Sequence, residues 1–273
     1  LSLHDALPIL DHLMKSHPSD CSCVADIAKT AMQLQRAHPE RVIYQTSLMS
    51  ALLSGVYEGE TTMADLLQHG DFGLGTFNHL DGEMIAFNRN IFQLRGDGSA
   101  RRAKPEQKTP FAVMTFFQPT EEYRINRLHS RDEIHQVIDK MLTSQNAFCA
   151  LRIDGIFRNV ETRTVPEQHR PYKPMQEAIE AQPTYHIEHR EGVLIGFLTP
   201  NYMQGINVAG YHEHFITAER DCGGHILDYQ VESGVLTFGS IDKLLIDFPH
   251  DDDFMQADLC PANLDTAIRS VES

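Results

Sequence analysis

Short runs of apolar residues, separated by glycine, proline and acidic residues, recur from Arg41 onward and predict β-strands. In the first half of the chain, Asp81-Gly82 and Asp97-Gly98 stand beside such runs, where this dipeptide is typical of a tight hairpin turn. The pattern therefore predicts strands joined by short turns. The predicted strands are residues 42–45, 73–77, 84–87, 91–94 and 111–117.

Two segments in the first half have helical signals instead. Thr62 and Asp65 are spaced like a capping box and predict a short helix over residues 63–69, which Gly70 ends. Ser130 and Glu133 form a second box, before apolar residues at the spacing i, i+3, i+4, i+7 that marks one face of a helix. These apolar residues are Ile134, Val137, Ile138 and Met141.

Strand signals are denser in the second half. Asp154-Gly155 lies between the apolar runs 148–153 and 156–162 and predicts a hairpin there. Closely spaced strands with glycine-rich turns favour a small barrel or sandwich, and a helix over about residues 264–271 ends the chain. The further predicted strands are residues 185–188, 193–197, 206–209, 212–216, 225–231 and 235–238.

These patterns predict an α/β protein in two parts. Residues 1–40 have helical character and no evident role, so they are interpreted as a leader. Residues 41–145 are expected to form a mixed α/β domain with a mixed β-sheet, and residues 146–273 a β-rich, barrel-like, metal-binding domain with a C-terminal helix.

Charge and composition narrow the function classes. The 273 residues contain 23 Lys and Arg against 38 Asp and Glu, a formal net charge of −15. Such an acidic surface repels phosphate groups, so nucleic acid and anionic membranes are poor partners. No apolar stretch is long enough to cross a bilayer. The five cysteines are scattered and odd in number, which favours reduced thiols in a cytoplasmic protein.

Histidine placement suggests a metal site. His212 and His214 occupy positions i and i+2 of a predicted strand and so share a face, and His225 follows a Gly223-Gly224 turn. A hairpin would place all three imidazoles together, as in a catalytic zinc site with open positions. The alternative is that they are ordinary polar residues on a half-exposed strand. His186 and His189, three residues apart, should point to opposite faces at the surface.

A three-histidine metal centre does not by itself name a reaction. Glu83 follows a tight turn and could point inward or be a solvated turn residue. Arg163 stands at a strand end, where it could hold a substrate carboxylate or simply be exposed. Glu272 is one residue from the end of the sequence. From the residues alone, the roles of these three side chains stay open.

Eight ordered segments of the chain match one known family: YQTSLMSAL at 44–52, GVYEG at 55–59, DFGLGTFN at 71–78, LDGE at 80–83, KTPFA at 108–112, RTVP at 163–166, QGINVAGYHEHF at 204–215 and GGH at 223–225. Over roughly residues 40–273 the chain therefore resembles the α-acetolactate decarboxylase family. The resemblance implies that His212, His214 and His225 bind Zn²⁺, that Glu83, Arg163 and Glu272 are catalytic, and that Thr76 lines the site. It also implies a homodimer acting on acetolactate.

The implied chemistry needs no organic cofactor, because the ketone of acetolactate accepts the electrons that departing CO2 leaves behind. Zinc would stabilise the enediolate, Arg163 would orient the carboxylate, and Glu83 or Glu272 would protonate the enediolate to give one enantiomer of acetoin.

Three other kinds of protein share part of this pattern. A cupin-like metal enzyme acting on a small keto or hydroxy acid would use His212, His214 and Glu219, but its third histidine should lie much further along than His225. A zinc hydrolase would be expected to show a helical His-Glu-x-x-His motif, which the sequence lacks. A non-catalytic zinc-binding module would have no use for Glu83, Arg163 and Glu272 around one cleft.

Overall fold

The computed structural model describes residues 41–180 and 182–272, and the predicted leader lies outside the described residues. Strands dominate. They are β1 (Val42–Thr46), β2 (Thr61–Thr62), β3 (Phe72–Thr76), β4 (Glu83–Phe87), β5 (Asn90–Leu94), β6 (Ala100–Arg102), β7 (Lys108–Thr109), β8 (Ala112–Thr115), β9 (Glu121–Ile125), β10 (His129–Ser130), β11 (Phe148–Arg163), β12 (Thr184–Thr199), β13 (Gly210–Thr217), β14 (Gly223–Ile241) and β15 (Lys243–Asp247).

The helices of the described residues are few and short. Both predicted capping boxes are present, with Thr62 and Ser130 accepting from the backbone of Asp65 and Glu133. None of these helices combines the length and apolar character that a bilayer crossing requires. The helices are α1 (Met49–Leu53), α2 (Met63–His69), α3 (Arg131–Met141), α4 (Met175–Ala178), α5 (Asp252–Gln256) and α6 (Leu264–Glu272), with 3-10 turns at Asn78–Leu80 and Asn201–Met203.

The first sheet has seven strands in the order β15-β1-β8-β3-β4-β5-β6. Its pairings are antiparallel except for β1 and β15, which run parallel. Each of the five strands predicted in the first half overlaps one of its strands. Because β15 comes from the end of the chain, this sheet joins segments about 200 positions apart in sequence.

The second sheet is built on three long strands. β11 pairs with β12 on one side and β14 on the other, β12 pairs with β13, and β13 pairs with β14, so these four strands form a closed circuit of antiparallel pairings. β9 and β10 add to β14. The chain is thus mostly β, and its division into two domains at residue 146 stays a prediction.

The hairpin predicted at Asp154-Gly155 is wrong, because β11 runs straight through this dipeptide. Gly155 pairs with Gly192 on β12 and with Gly234 on β14. A Cβ on Gly155 would lie 2.4 Å from the carbonyl oxygen of Ser233, so this glycine allows three strands to approach closely. For the same reason the runs 185–188 and 193–197, and 225–231 and 235–238, are parts of the continuous strands β12 and β14.

The strand predicted at residues 206–209 is also wrong. This segment is a turn whose backbone groups are bonded outside any sheet: the carbonyl of Ile206 accepts from Gln45 Nε2 at 2.7 Å and from the amide of Met49 at 3.1 Å. Its apolar residues are partly or fully buried against the core, which explains the misleading hydrophobic pattern.

The largest core cluster contains residues from both sheets. Phe72 of β3 meets Phe197 of β12 edge to face, with ring centroids 5.8 Å apart. A second cluster packs α3 onto the second sheet through Ile134 and Ile138. The helix α6 belongs to the largest cluster through Ala267, Ile268 and Val271. Among the cysteines, Cys149, Cys222 and Cys260 are free thiols, as predicted, and the other two lie outside the described residues.

Candidate active site

Three buried histidines form the centre of the candidate site. His212 and His214 alternate on β13 and share a face, and His225 of β14 is the register partner of His214. One ring nitrogen of each lies within 4.8 Å of the others. The three side chains are 8%, 0% and 4% exposed, so the alternative of a half-exposed polar strand is wrong. The cluster is compact enough for one ion to contact all three rings.

The hairpin that carries these residues turns earlier than predicted. The chain reverses between Thr217 and Cys222, whose amide and carbonyl are joined at 3.1 Å. Gly223 and Gly224 instead begin β14. A Cβ on Gly223 would lie 2.1 Å from the carbonyl oxygen of Phe215, so glycine is required for β13 and β14 to approach closely beside the histidines.

Hydrogen bonding fixes which nitrogen of His214 faces the cluster. Its Nδ1 lies 2.8 Å from the carbonyl oxygen of Met84, which makes Nδ1 the protonated donor and Nε2 the acceptor. Nε2 is buried and has no hydrogen-bond partner among the described residues. A bare lone pair of this kind is costly unless a cation or donor satisfies it, and a carbonyl-anchored imidazole is the usual form of a metal-binding histidine.

The surroundings keep the three imidazoles neutral. Burial, with a smaller contribution from the Arg163 guanidinium, lowers the pKa of His212 to about 3. Burial likewise holds the pKa of His214 and of His225 well below the ordinary histidine value. The neutral ring is the form that donates a lone pair to a metal.

Arg163 lies beside the histidines in a row across three strands. His225 pairs with Arg163 of β11 on one side and with His214 of β13 on the other, and directly opposed residues project to the same face. Arg163 is 5% exposed. Its Nη2 donates to the carbonyl of Val271 in α6, which ties the terminal helix to this row.

Glu83 approaches the cluster from the other sheet. Its Oε2 lies 3.7 Å from Nε2 of His214, and its side chain is 13% exposed. Gly82, at φ +79°, shapes the preceding turn, where a Cβ would lie 2.1 Å from the carbonyl oxygen of Leu94. Thr76, the register partner of Glu83, donates its hydroxyl to the carbonyl of Gly82 at 2.7 Å and so holds the turn that presents Glu83.

One cavity joins most of these residues. Thr76, Glu83 and Arg163 border it together with His212 and His225, and the remaining wall is mainly apolar. Glu272 is in the last turn of α6, directly after the cavity residue Val271, and its side chain lies outside the described residues. The other residues that line the cavity are Met49, Leu52, Gly75, Leu80, Phe111, Val165, Met175, Ile179 and Gln182.

Comparison with known proteins identifies the family of this chain. The family model for alpha-acetolactate decarboxylase matches residues 43–261. The chain belongs to that family. It is 64% identical to the alpha-acetolactate decarboxylase of Klebsiella aerogenes over 260 residues, which cover 95% of this chain and all of the relative. Alpha-acetolactate decarboxylase from Bacillus subtilis is 42% identical over 82% of this chain and 88% of that protein.

The fold agrees as well. The crystal structure of alpha-acetolactate decarboxylase from Bacillus subtilis strain 168 superposes with a TM-score of 0.83 and 41% sequence identity, covering 85% of this chain and 99% of that one. The family predicted from the sequence is therefore confirmed, and with it the enzyme class, a carboxy-lyase.

Three residues singled out in the sequence lie outside the cavity. His186 and His189 are exposed, as predicted. Glu219, the expected extra ligand of a cupin-like site, is also exposed and pairs with Arg190 at 2.9 Å. It does not line the cavity.

Behind the three histidines is a buried ion pair that the sequence analysis did not predict. Glu213 alternates with His212 and His214, so its fully buried side chain points to the opposite face of β13. There it accepts from Arg131 Nε at 2.8 Å, and its Oε1 lies 3.1 Å from Nε2 of His135. Burial alone would raise its pKa, but His135 and Arg131 outweigh burial and lower it. In the sequence, only the alternation of side chains along a strand could have indicated that Glu213 faces away from the histidines.

Replacing Glu213 with glutamine should destabilise the protein, because the partly buried Arg131 would lose its counter-charge. We expect the free energy of unfolding to fall by about 3 kcal/mol, the usual effect of breaking a buried pair from one side. Urea denaturation of Glu213→Gln against the wild type measures this. Glu219→Gln is the matched control, since the Glu219–Arg190 pair is exposed and should contribute little. Equal stability of all three proteins would contradict a structural role for Glu213.

Proposed function

We propose that this chain decarboxylates 2-acetolactate to acetoin and CO2 in the cavity beside His212, His214 and His225. One observation supports this most strongly: a buried, neutral three-histidine cluster shares a cavity with a guanidinium and a carboxylate, in a chain of the alpha-acetolactate decarboxylase family. Acetolactate is the substrate that the names of its relatives give. A homodimer in the cytoplasm stays a prediction of the sequence.

We further propose that the histidines hold Zn²⁺. The donor set fits, since three neutral imidazoles with open positions are the ligands of many catalytic zinc sites. The unsatisfied Nε2 of His214 is the second reason, because it points a buried lone pair into the cluster. Once bound, zinc would supply a Lewis acid for the ketone and hydroxyl oxygens of the substrate.

The protein's own task is to bind and orient the acid. Arg163 can bind the carboxylate through its guanidinium fork, with one nitrogen already anchored on Val271. The apolar walls accommodate the two methyl groups of acetolactate and exclude water. Thr76 holds the turn before Glu83 and lines the same cavity. When the C–C bond to the carboxylate breaks, the substrate ketone takes up the electron pair.

A proton must then be delivered to the carbon that lost CO2. Glu83 is the described carboxylate that lines the cavity, and Glu272 is the alternative suggested by the family resemblance. Delivery from one side only would give a single acetoin enantiomer. Each glutamate remains a proposed proton donor.

Glu272→Gln, and deletion of residues 272 and 273 together, should each slow turnover at least about 100-fold while the metal stays bound, since general acid–base catalysis contributes about that much. Steady-state kinetics and metal analysis of the purified variants measure both effects. Deletion of Ser273 alone is the matched control and should leave the rate unchanged. A wild-type rate in Glu272→Gln would remove Glu272 from the reaction.

The proposed function is tested by incubating the purified protein with racemic acetolactate and following acetoin by chiral chromatography, with and without a chelator. We expect one predominant acetoin enantiomer and its loss on chelation. A protein that binds zinc but forms no acetoin would instead be a non-catalytic module, and turnover of other small hydroxy or keto acids alone would favour a cupin-like enzyme.

A further inference from the structure

Gln182 contributes to the cavity a polar atom that forms no hydrogen bond within the described part of the chain. This atom is the side-chain oxygen Oε1, which is buried and has no hydrogen-bond donor among residues 41–180 and 182–272. Among the described residues that line the cavity, Gln182 alone has a buried side-chain nitrogen or oxygen atom without a hydrogen bond. A buried carbonyl oxygen without a partner destabilises the folded protein, so its presence in a ligand cavity calls for an explanation.

The backbone around Gln182 is fixed next to Arg163. The amide of Gln182 donates to the carbonyl of Ile179 at 3.0 Å, and the carbonyl of Pro183 accepts from Thr164 at 3.4 Å. Thr184, two residues further on, is the register partner of Arg163 at the start of β12. The side-chain amide therefore belongs to the same end of the second sheet as the guanidinium, and it is held by a bonded backbone.

The chemistry of this atom selects its partner. A carbonyl oxygen only accepts hydrogen bonds. An ionised hydroxy-keto acid offers a carboxylate and a ketone, which also accept, apolar methyl groups, and a single donor, the hydroxyl on the carbon that bears the carboxylate. No other part of such a substrate can satisfy Oε1 of Gln182.

We propose that Gln182 is a substrate-binding residue that accepts a hydrogen bond from the substrate hydroxyl and selects acids with a hydroxyl beside the carboxylate. This rests on the proposed function, because the substrate class comes from it. Arg163 then fixes the carboxylate and Gln182 the hydroxyl, two attachments on neighbouring groups that restrict how the acid can lie in the cavity.

Gln182→Leu tests the proposal through two readouts that move in opposite directions. We expect kcat/KM for acetolactate to fall about tenfold, the effect of one lost hydrogen bond of about 1.4 kcal/mol. The Tm of the substrate-free enzyme should rise by about 2–4 °C, because an unsatisfied buried oxygen is replaced by apolar carbon. Gln182→Met, unbranched like glutamine, repeats the test if the leucine variant folds poorly. Gln136→Leu, on an exposed position of α3, is the control and should alter neither readout.

A pair of inhibitors isolates the hydroxyl contact. 2-Hydroxy-2-methylpropanoate and 2,2-dimethylpropanoate differ by a hydroxyl in place of a methyl group. In the wild type, the inhibition constant of the hydroxy acid should be lower than that of the dimethyl acid. In Gln182→Leu, the ratio between the two constants should be about tenfold smaller. Contacts of the hydroxyl with other groups are common to both proteins and cancel in this comparison.

Unchanged kinetics and an unchanged inhibitor ratio would overturn the assignment. A fall in Tm together with the loss of activity would also overturn it, since that result marks a structural glutamine. Failure of the proposed function looks different: the wild type itself would then form no acetoin.

Discussion

Replacing His214 with alanine should abolish both metal binding and CO2 release. His214 is fully buried, is anchored on the carbonyl of Met84 and directs an unsatisfied Nε2 into the cluster. Without it, two imidazoles remain, and the site loses a ligand that the other residues cannot supply. Stabilisation of developing charge by a metal contributes several kcal/mol, so we expect turnover to fall at least about 1000-fold.

Elemental analysis and acetoin assays on purified His214→Ala measure the two losses, with circular dichroism to verify that the variant is folded. His186→Ala is the matched control: His186 is a histidine of the neighbouring strand β12 but is exposed, so its loss should change neither metal content nor rate. A folded His214→Ala protein with full activity would contradict the metal hypothesis.

Exchanging Arg163 for lysine should lower kcat/KM about 100-fold although the charge is kept. The side chain is 5% exposed and already uses one guanidinium nitrogen on Val271, so binding a carboxylate depends on the remaining donors of a planar fork. Lysine offers a point charge that cannot satisfy both partners in this geometry. A 100-fold fall in kcat/KM corresponds to about 3 kcal/mol. This value lies within the range of about 2–5 kcal/mol that breaking a buried, hydrogen-bonded charge contact costs.

Steady-state kinetics of Arg163→Lys measure the loss, and metal content should stay at the wild-type level. Arg158→Lys on the same strand is the control, because Arg158 is exposed and pairs with Glu232 at the surface. Wild-type kinetics in Arg163→Lys would show that the guanidinium fork has no part in binding the acid.

Local sequence patterns predicted the strands and both capped helices because those features depend on neighbours in sequence. The errors arose where long-range pairing overrides a local signal. Asp154-Gly155 has the composition of a hairpin turn, yet β12 and β14 pair with it on both sides and keep it extended. The apolar run at 206–209 fits a strand equally well, but its backbone groups bond to the region of β1 and α1 instead.

In the candidate site, too, residues that are close in sequence could be predicted from spacing, whereas residues joined by long-range contacts could not. The three histidines lie on one hairpin, so their spacing was informative. Glu83 reaches His214 from the other sheet, and Arg163 meets His225 only through strand pairing. Their roles stayed open without the resemblance, because no local pattern reports such contacts. No sequence pattern pointed to Gln182, because its proposed substrate-binding role rests on a missing hydrogen bond that is visible only in the folded structure.

The most direct test is to return a divalent metal stepwise to metal-depleted protein while recording acetoin formation from acetolactate. If His212, His214 and His225 hold one ion that the reaction requires, activity should start near zero, rise linearly and level off at one equivalent per chain. Full activity before any metal is added, or a rate indifferent to the amount added, would contradict the account.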